Sequence, residues 1–174
     1  MKKNILIVLG LTLTLNIYSQ KKEKFKAGVK LTENNIPKEF KSTNSILFFF
    51  KNGGCGPNFY IDLKKHIEKK FKKSNKKIDF IFSPHYLTYG EKTPTTIDSL
   101  IKHELICEIS EENFNGWDNN LHKKRKQNYD LVLTVKKGNS DSIIGFATLN
   151  INSYWNITTQ NKNMSKLIYK LFND

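Results

Sequence analysis

Ser45-Ile46-Leu47-Phe48-Phe49-Phe50-Lys51, followed by the corner Asn52-Gly53-Gly54-Cys55-Gly56-Pro57, is the stretch on which the fold turns. The apolar run has strand length and no alternation, so both of its faces should be covered, as in a central strand of an α/β sheet. The glycine corner ends it, and Pro57 suits the first position of a helix. Tyr60, Leu63, Ile67 and Phe71 then recur at helical spacing, with Lys64, Lys65, Glu68, Lys69 and Lys72 on the other side. That pattern predicts an amphipathic helix lying on a sheet. Ser74-Asn75 ends it, and Lys77 to Phe82 reads as a second strand. Strand, helix and strand in this order form a right-handed βαβ unit.

Working outward, Pro84, Gly90 and Pro94 mark a loop. Thr93 can cap a second helix through Ile97, Leu100, Ile101 and Leu105. Glu108 to Asn115 reads as polar connection, and Gly116 to Gln127 as a short helix using Trp117 and Leu121. Tyr129 to Val135 and Ser142 to Ile151 form a hairpin around Gly138. Asn156 to Asn161 reads as loop, and Met164, Leu167, Ile168 and Leu171 as a closing helix. The expected order is β-α-β-α-(α)-β-β-α, a single α/β domain whose mixed sheet carries helices packed on it.

Upstream, Lys2 and Lys3 precede the apolar run Ile5 to Leu15, which turns small and polar at Asn16 to Gln20. This is the layout of a secretory signal peptide, and it is too short for a bilayer-spanning helix. The expected organisation is a signal peptide at 1–19, an N-terminal linker or edge segment at 20–44 with a strand near Gly28 to Leu31, and the α/β domain at 45–174. Cleavage before Gln20 removes Lys2 and Lys3 and lowers the formal charge from +13 to +11. The product is expected to be exported, periplasmic or secreted, with no membrane span in the mature chain.

The chain has 174 residues and two cysteines, enough length for one core without a disulfide lattice. Its basic excess is lysine; Arg125 is the only arginine, and asparagine is abundant. Nucleic-acid readers lean on arginine for bidentate contacts, so nucleic acid is not an expected partner. Two readings of the charge stay open. One is a solvated surface set by genome composition. The other is attraction to an anionic surface, centred on the lysine helix at 59–73 and falling with salt.

Cys55 is the one candidate for chemistry. A cysteine at a strand-to-helix corner faces the positive end of the helix dipole, which favours thiolate. Phe50 to Pro57, with Cys-Gly-Pro after an aromatic strand, resembles the active-site turn of thioredoxin-fold proteins. That resemblance implies a monothiol role for Cys55 at most, because Asn58 stands where the second cysteine of a Cys-x-x-Cys pair would be. Alternatively Cys55 could bond Cys107, closing a loop of about 52 residues for about 4 kcal/mol in the chain-entropy treatment. His66, His85, His103 and His122 share no ligand spacing, so neither a metal site nor a cofactor is expected. Glu104, Glu108, Glu111 and Glu112 read as a solvated acidic turn.

Ile36 to Phe40, Ile46 to Phe48, the βαβ unit, Tyr129 to Leu133 and the closing helix Ser165 to Phe172 are similar in order and pattern to small exported α/β proteins of Gram-negative envelopes. Examples are the TolB amino-terminal domain and curli-assembly lipoproteins. The resemblance implies a non-enzymatic adaptor or binding module with an unknown envelope protein as partner, met through a sheet edge or a helix face. Tyr86, Tyr89, Trp117, Tyr154 and Trp155 are candidate aromatic anchors.

Overall fold

The computed structural model describes residues 28–51, 54–83, 103–114, 127–153 and 156–173. Its strands are β1 (Val29–Asn34), β2 (Ser45–Phe50), β3 (Lys77–Phe82), β4 (Leu105–Glu112), β5 (Gln127–Lys137) and β6 (Ile143–Ser153). Its helices are α1 (Pro57–Phe71) and α2 (Ile157–Asn173), with a 3-10 turn at Lys38–Ser42. One six-stranded mixed sheet runs in the order β1-β6-β5-β4-β2-β3. β2 is parallel to both β3 and β4, and the pairs β4–β5, β5–β6 and β6–β1 are antiparallel.

The α/β class and the sheet covered by helices are as expected, and β2, α1 and β3 fall where the apolar spacing placed them. Ile46, Leu47, Phe48 and Phe50 are at most 1% exposed, which is what a run without alternation implies on both faces of β2. Both helices lie on the face that carries Phe48 and Phe50. The Phe48 ring meets Phe71 of α1 at 5.6 Å, Phe172 of α2 at 6.1 Å and Phe80 of β3 at 5.5 Å. Leu105, Cys107 and Ile109 of β4, Leu131, Leu133 and Val135 of β5, and Ala147, Leu149 and Ile151 of β6 complete that layer.

Three local expectations are corrected. Leu105 does not close a helix: it opens β4, where Leu105, Cys107 and Ile109 point inward and alternate with Ile106, Glu108 and Ser110. A period of two had been concealed by a preceding segment of period 3.6. Glu108 to Glu112 is therefore strand and not connection. Asn156 to Asn161 is not a loop either. Asn156 Oδ1 accepts from Thr159 N at 2.8 Å, and the helix starts at Ile157. The helices expected at 93–105 and at 116–127 lie largely outside the described residues; His103 and Glu104 of the first are not helical, and Gln127 of the second opens β5.

β1 forms the outer strand beside β6, and Phe40 of the 3-10 turn is buried in the core. Lys76 Nζ closes that turn by donating to the carbonyls of Phe40, Lys41 and Thr43.

Candidate functional site

The chain leaves β2 for β3 on one side and later enters β4 on the other side of β2. The carboxyl ends of β2 and β4 thus flank the point where the strand order reverses, the usual place for a ligand crevice in an α/β sheet. The glycine corner and the end of β4 meet there. Gly56 precedes α1 with φ +73 and ψ 172, a backbone that side-chain-bearing residues avoid, although nothing lies within 4 Å of the Cβ it lacks. At Gly54 the reason is space: a Cβ would stand 2.6 Å from the Phe114 ring.

Gly56 offers no side chain to cap α1. Glu111 reaches this corner from β4. Its Oε2 accepts the backbone N–H of Cys55 at 2.6 Å, one residue before the cap. A carboxylate at this end complements the helix dipole. The corner before α1 therefore holds a carboxylate group next to the Cys55 backbone. The Cys55 thiol is accordingly pushed up, first by burial, then by the charge of Glu111 and the hydrogen bond to it. The direction of that shift runs against an activated Cys55. The sulfur has a carboxylate beside it, where a monothiol of the thioredoxin type needs a partner that stabilises its anion.

The same cluster is buried further in. Tyr129 donates its hydroxyl to Gln160 Oε1 at 3.2 Å and packs against Phe59 and Phe114. Burial, Cys55 and Glu111 raise its phenol, in that order. Asn161 of α2 donates to Phe59 O and to Asp62 Oδ2, both at 2.9 Å, and so fastens the first turn of α2 to the first turn of α1. Asp62 also lies 3.7 Å from His66 on α1. The corner is therefore a lock between two helices and a strand.

Cys107 and Cys55 are both free thiols. Cys107 lies on β4, four positions before the glutamate that holds Cys55. That glutamate stands about 13 Å along the strand from Cys107. The Cys107 thiol is also pushed up, first by burial and then by Glu108.

The acidic residues are not a solvated turn. Glu108 projects from β4 onto the face opposite the helices, between Lys51 at 2.5 Å and Lys136 at 2.8 Å. Burial raises its carboxyl, but the two ammonium groups outweigh that and leave it below its ordinary value. Glu104 accepts from Asn44 N with both oxygens, and Glu112 is exposed. His103 is buried and lies 2.7 Å from Asp79 Oδ2, at the margin of a cleft of about 610 Å³ bordered by Glu39, Thr43, Glu104 and Lys137. His85, His122 and the five aromatic candidates Tyr86, Tyr89, Trp117, Tyr154 and Trp155 lie outside the described residues. Among the described residues no three His, Cys, Asp or Glu side chains gather as a metal ion would need.

Glu111 and Asn161 are the residues that sequence reasoning missed. Glu111 had a signal, the inward parity it shares with Leu105, Cys107 and Ile109. Removing it gives a direct check. Glu111→Ala strands the Cys55 N–H and should cost about 1–3 kcal/mol by urea unfolding. Glu111→Gln keeps an acceptor and should cost less, while raising the rate of Cys55 alkylation at pH 8 several-fold. An unchanged rate in Glu111→Gln would mean that the carboxylate does not govern the thiol.

Lysines dominate the exposed side of the helix layer, and Ile61 of α1 is 49% exposed among them. Among the described residues no helix is long and apolar enough to cross a membrane.

No protein-family model matches the chain, and no curated protein matches it in sequence. Solved structures do match in fold. The PelC dodecamer from Paraburkholderia phytofirmans superposes with a TM-score of 0.55 at 6% identity, over 84% of this chain and 97% of that one. A point variant of the same PelC gives a TM-score of 0.56 at 6% identity, over 85% and 99%. A neuraminyllactose-binding hemagglutinin homologue from Helicobacter pylori covers 83% of this chain and 86% of that one at 10% identity, with a TM-score of 0.37, below the level of a shared fold. The chain thus has the fold of PelC across almost the whole PelC chain.

Proposed function

We propose that the chain is an exported, non-enzymatic envelope protein, an adaptor or binding module that works by contact. The observation that carries this reading is the corner at the carboxyl ends of β2 and β4. The one position that reads in the sequence as a reactive residue, Cys55, has its N–H held by the Glu111 carboxylate, and burial first and that carboxylate second raise its thiol. The basic, apolar and then polar N-terminus supports export. The fold likeness to PelC, whose solved structures are dodecamers, supports a protein that works in an assembly, with self-association as one form of contact.

The experiment is crosslinking inside intact cells that express the tagged chain, followed by fractionation and light scattering of the purified protein. The expected result is recovery in the envelope fraction, crosslinked to a defined protein or to further copies of itself. Recovery of the intact chain with its leader in the cytoplasm, or of uncrosslinked monomer alone, would overturn the proposal.

A further inference from the structure

We infer that the outer face of the helix layer docks on an anionic lipid surface. This rests on the reading of the chain as an envelope binding module and names what one of its faces binds. The carrying observation is where the charge lies. Residues 57–73 and 157–173 hold nine lysines and two acids, whereas the remaining described residues hold eight lysines and nine acids. Among the described residues the whole basic excess therefore sits on the two helices that share one face of the sheet and on Lys72 and Lys73, which follow α1. A genome rich in lysine codons would raise lysine everywhere and would not sort it in this way.

The two acids on those segments are already engaged. Asp62 accepts from Asn161 and lies beside His66, and Glu68 pairs with Lys64 at 3.7 Å. α2 contains no acid. Lys65, Lys69 and Lys72 run along the exposed side of α1 and its C-terminal cap, and Lys162, Lys166 and Lys170 run along that of α2, each set at successive turns. Ile61 stands in line with the first set, one turn before Lys65, and is 49% exposed. Lysine ammonium groups are compact, strongly hydrated point charges that lack arginine's bidentate fork, and they suit a diffuse plane of phosphates better than a built pocket. An apolar side chain within a lysine field is what an interfacial face presents to a bilayer. A polar glycan would leave Ile61 in water.

The test is co-sedimentation of the full chain with vesicles of phosphatidylglycerol and phosphatidylcholine (one to three) at 50 mM NaCl. Parent and variants share one N-terminus, so any contribution of the apolar residues near it cancels in the ratio. Each lysine near such a surface contributes about fivefold in affinity. K65E/K69E/K162E/K166E should therefore lower binding at least 100-fold, and 500 mM NaCl should abolish the parent's binding. Ile61→Ser should weaken it about tenfold in a salt-insensitive way. A urea midpoint matching the parent's shows that the quadruple variant folds, and K166E/K170E serves in its place if it does not.

Equal binding to phosphatidylcholine alone would overturn the inference, as would an unaffected charge variant. Capture by soluble polygalacturonate without vesicle binding would overturn it in favour of an acidic glycan. If vesicle binding fails while crosslinking still recovers a protein partner, the lipid assignment falls and the binding-module reading stands.

Discussion

Phe48→Ala should lower the unfolding free energy by about 4 kcal/mol, a large share of the roughly 5–15 kcal/mol that holds a domain of this size together. Phe48 is fully buried on the strand that two parallel neighbours enclose, and its ring contacts α1, α2 and β3 at once. Truncation removes the transfer free energy of a phenyl group and leaves a cavity whose three walls belong to different elements. None of them can collapse without dragging its helix or strand along. In urea the midpoint should fall with little change in m, because the surface exposed on unfolding is nearly the same. Phe146→Ala is the matching control. That ring is 39% exposed on the opposite face of the sheet, so its loss should cost under 1 kcal/mol. A Phe48→Ala penalty below 1 kcal/mol would mean that the helix layer does not close over β2.

The second large effect is alkaline. Cys107 is wholly buried, Cys55 partly so, and both thiols are raised by that burial above their unfolded values. A thiol raised in this way stabilises the folded state fully below the unfolded pKa of about 8.5. The contribution is lost as pH climbs above that value, because only the unfolded chain can release the proton. Cys107 alone should remove more than 1 kcal/mol per pH unit there. Cys55 adds a smaller share, since solvent screens part of its shift. Between pH 8 and pH 10 the urea midpoint should therefore fall by the equivalent of about 2–3 kcal/mol. Cys107→Ala should start less stable and lose less over the same interval. A midpoint that stays flat from pH 8 to pH 10, or thiols that titrate near pH 8.5 by ultraviolet absorbance in the folded protein, would refute the account.

Strong, uninterrupted patterns were legible in the sequence. The aromatic run of β2, the Tyr60-Leu63-Ile67-Phe71 spacing and the hairpin around Gly138 each agree with one period and one set of turn residues. What escaped was set by long-range partners. β4 carries three glutamates and a serine among its eight residues, and alone it looks too polar for an interior strand. It becomes one because Lys51 and Lys136 neutralise Glu108 on one face, while the Cys55 N–H of the glycine corner donates to Glu111 on the other. The first turns of α2 look like a loop because Gln160 and Asn161 are polar. Their partners, Tyr129 and the first turn of α1, are distant in the chain. The neighbour of Cys55 escaped for the same reason. The helix terminus beside it was legible, but the carboxylate that takes its backbone N–H comes from a strand 56 positions away.

The place of β1 bears on how the molecule comes together. Among the described residues its only strand partner is β6, and the hydrogen bond from Thr32 to the Thr148 carbonyl joins residues 116 positions apart. A chain emerging amino end first from a ribosome or a translocation pore must keep Val29 to Asn34 unpaired until nearly all the rest has appeared. That ordering raises contact order and delays completion of the sheet to the last step of assembly. A nascent product truncated anywhere before β6 would leave the opening strand as a bare edge, the species most apt to aggregate or to be captured by a chaperone.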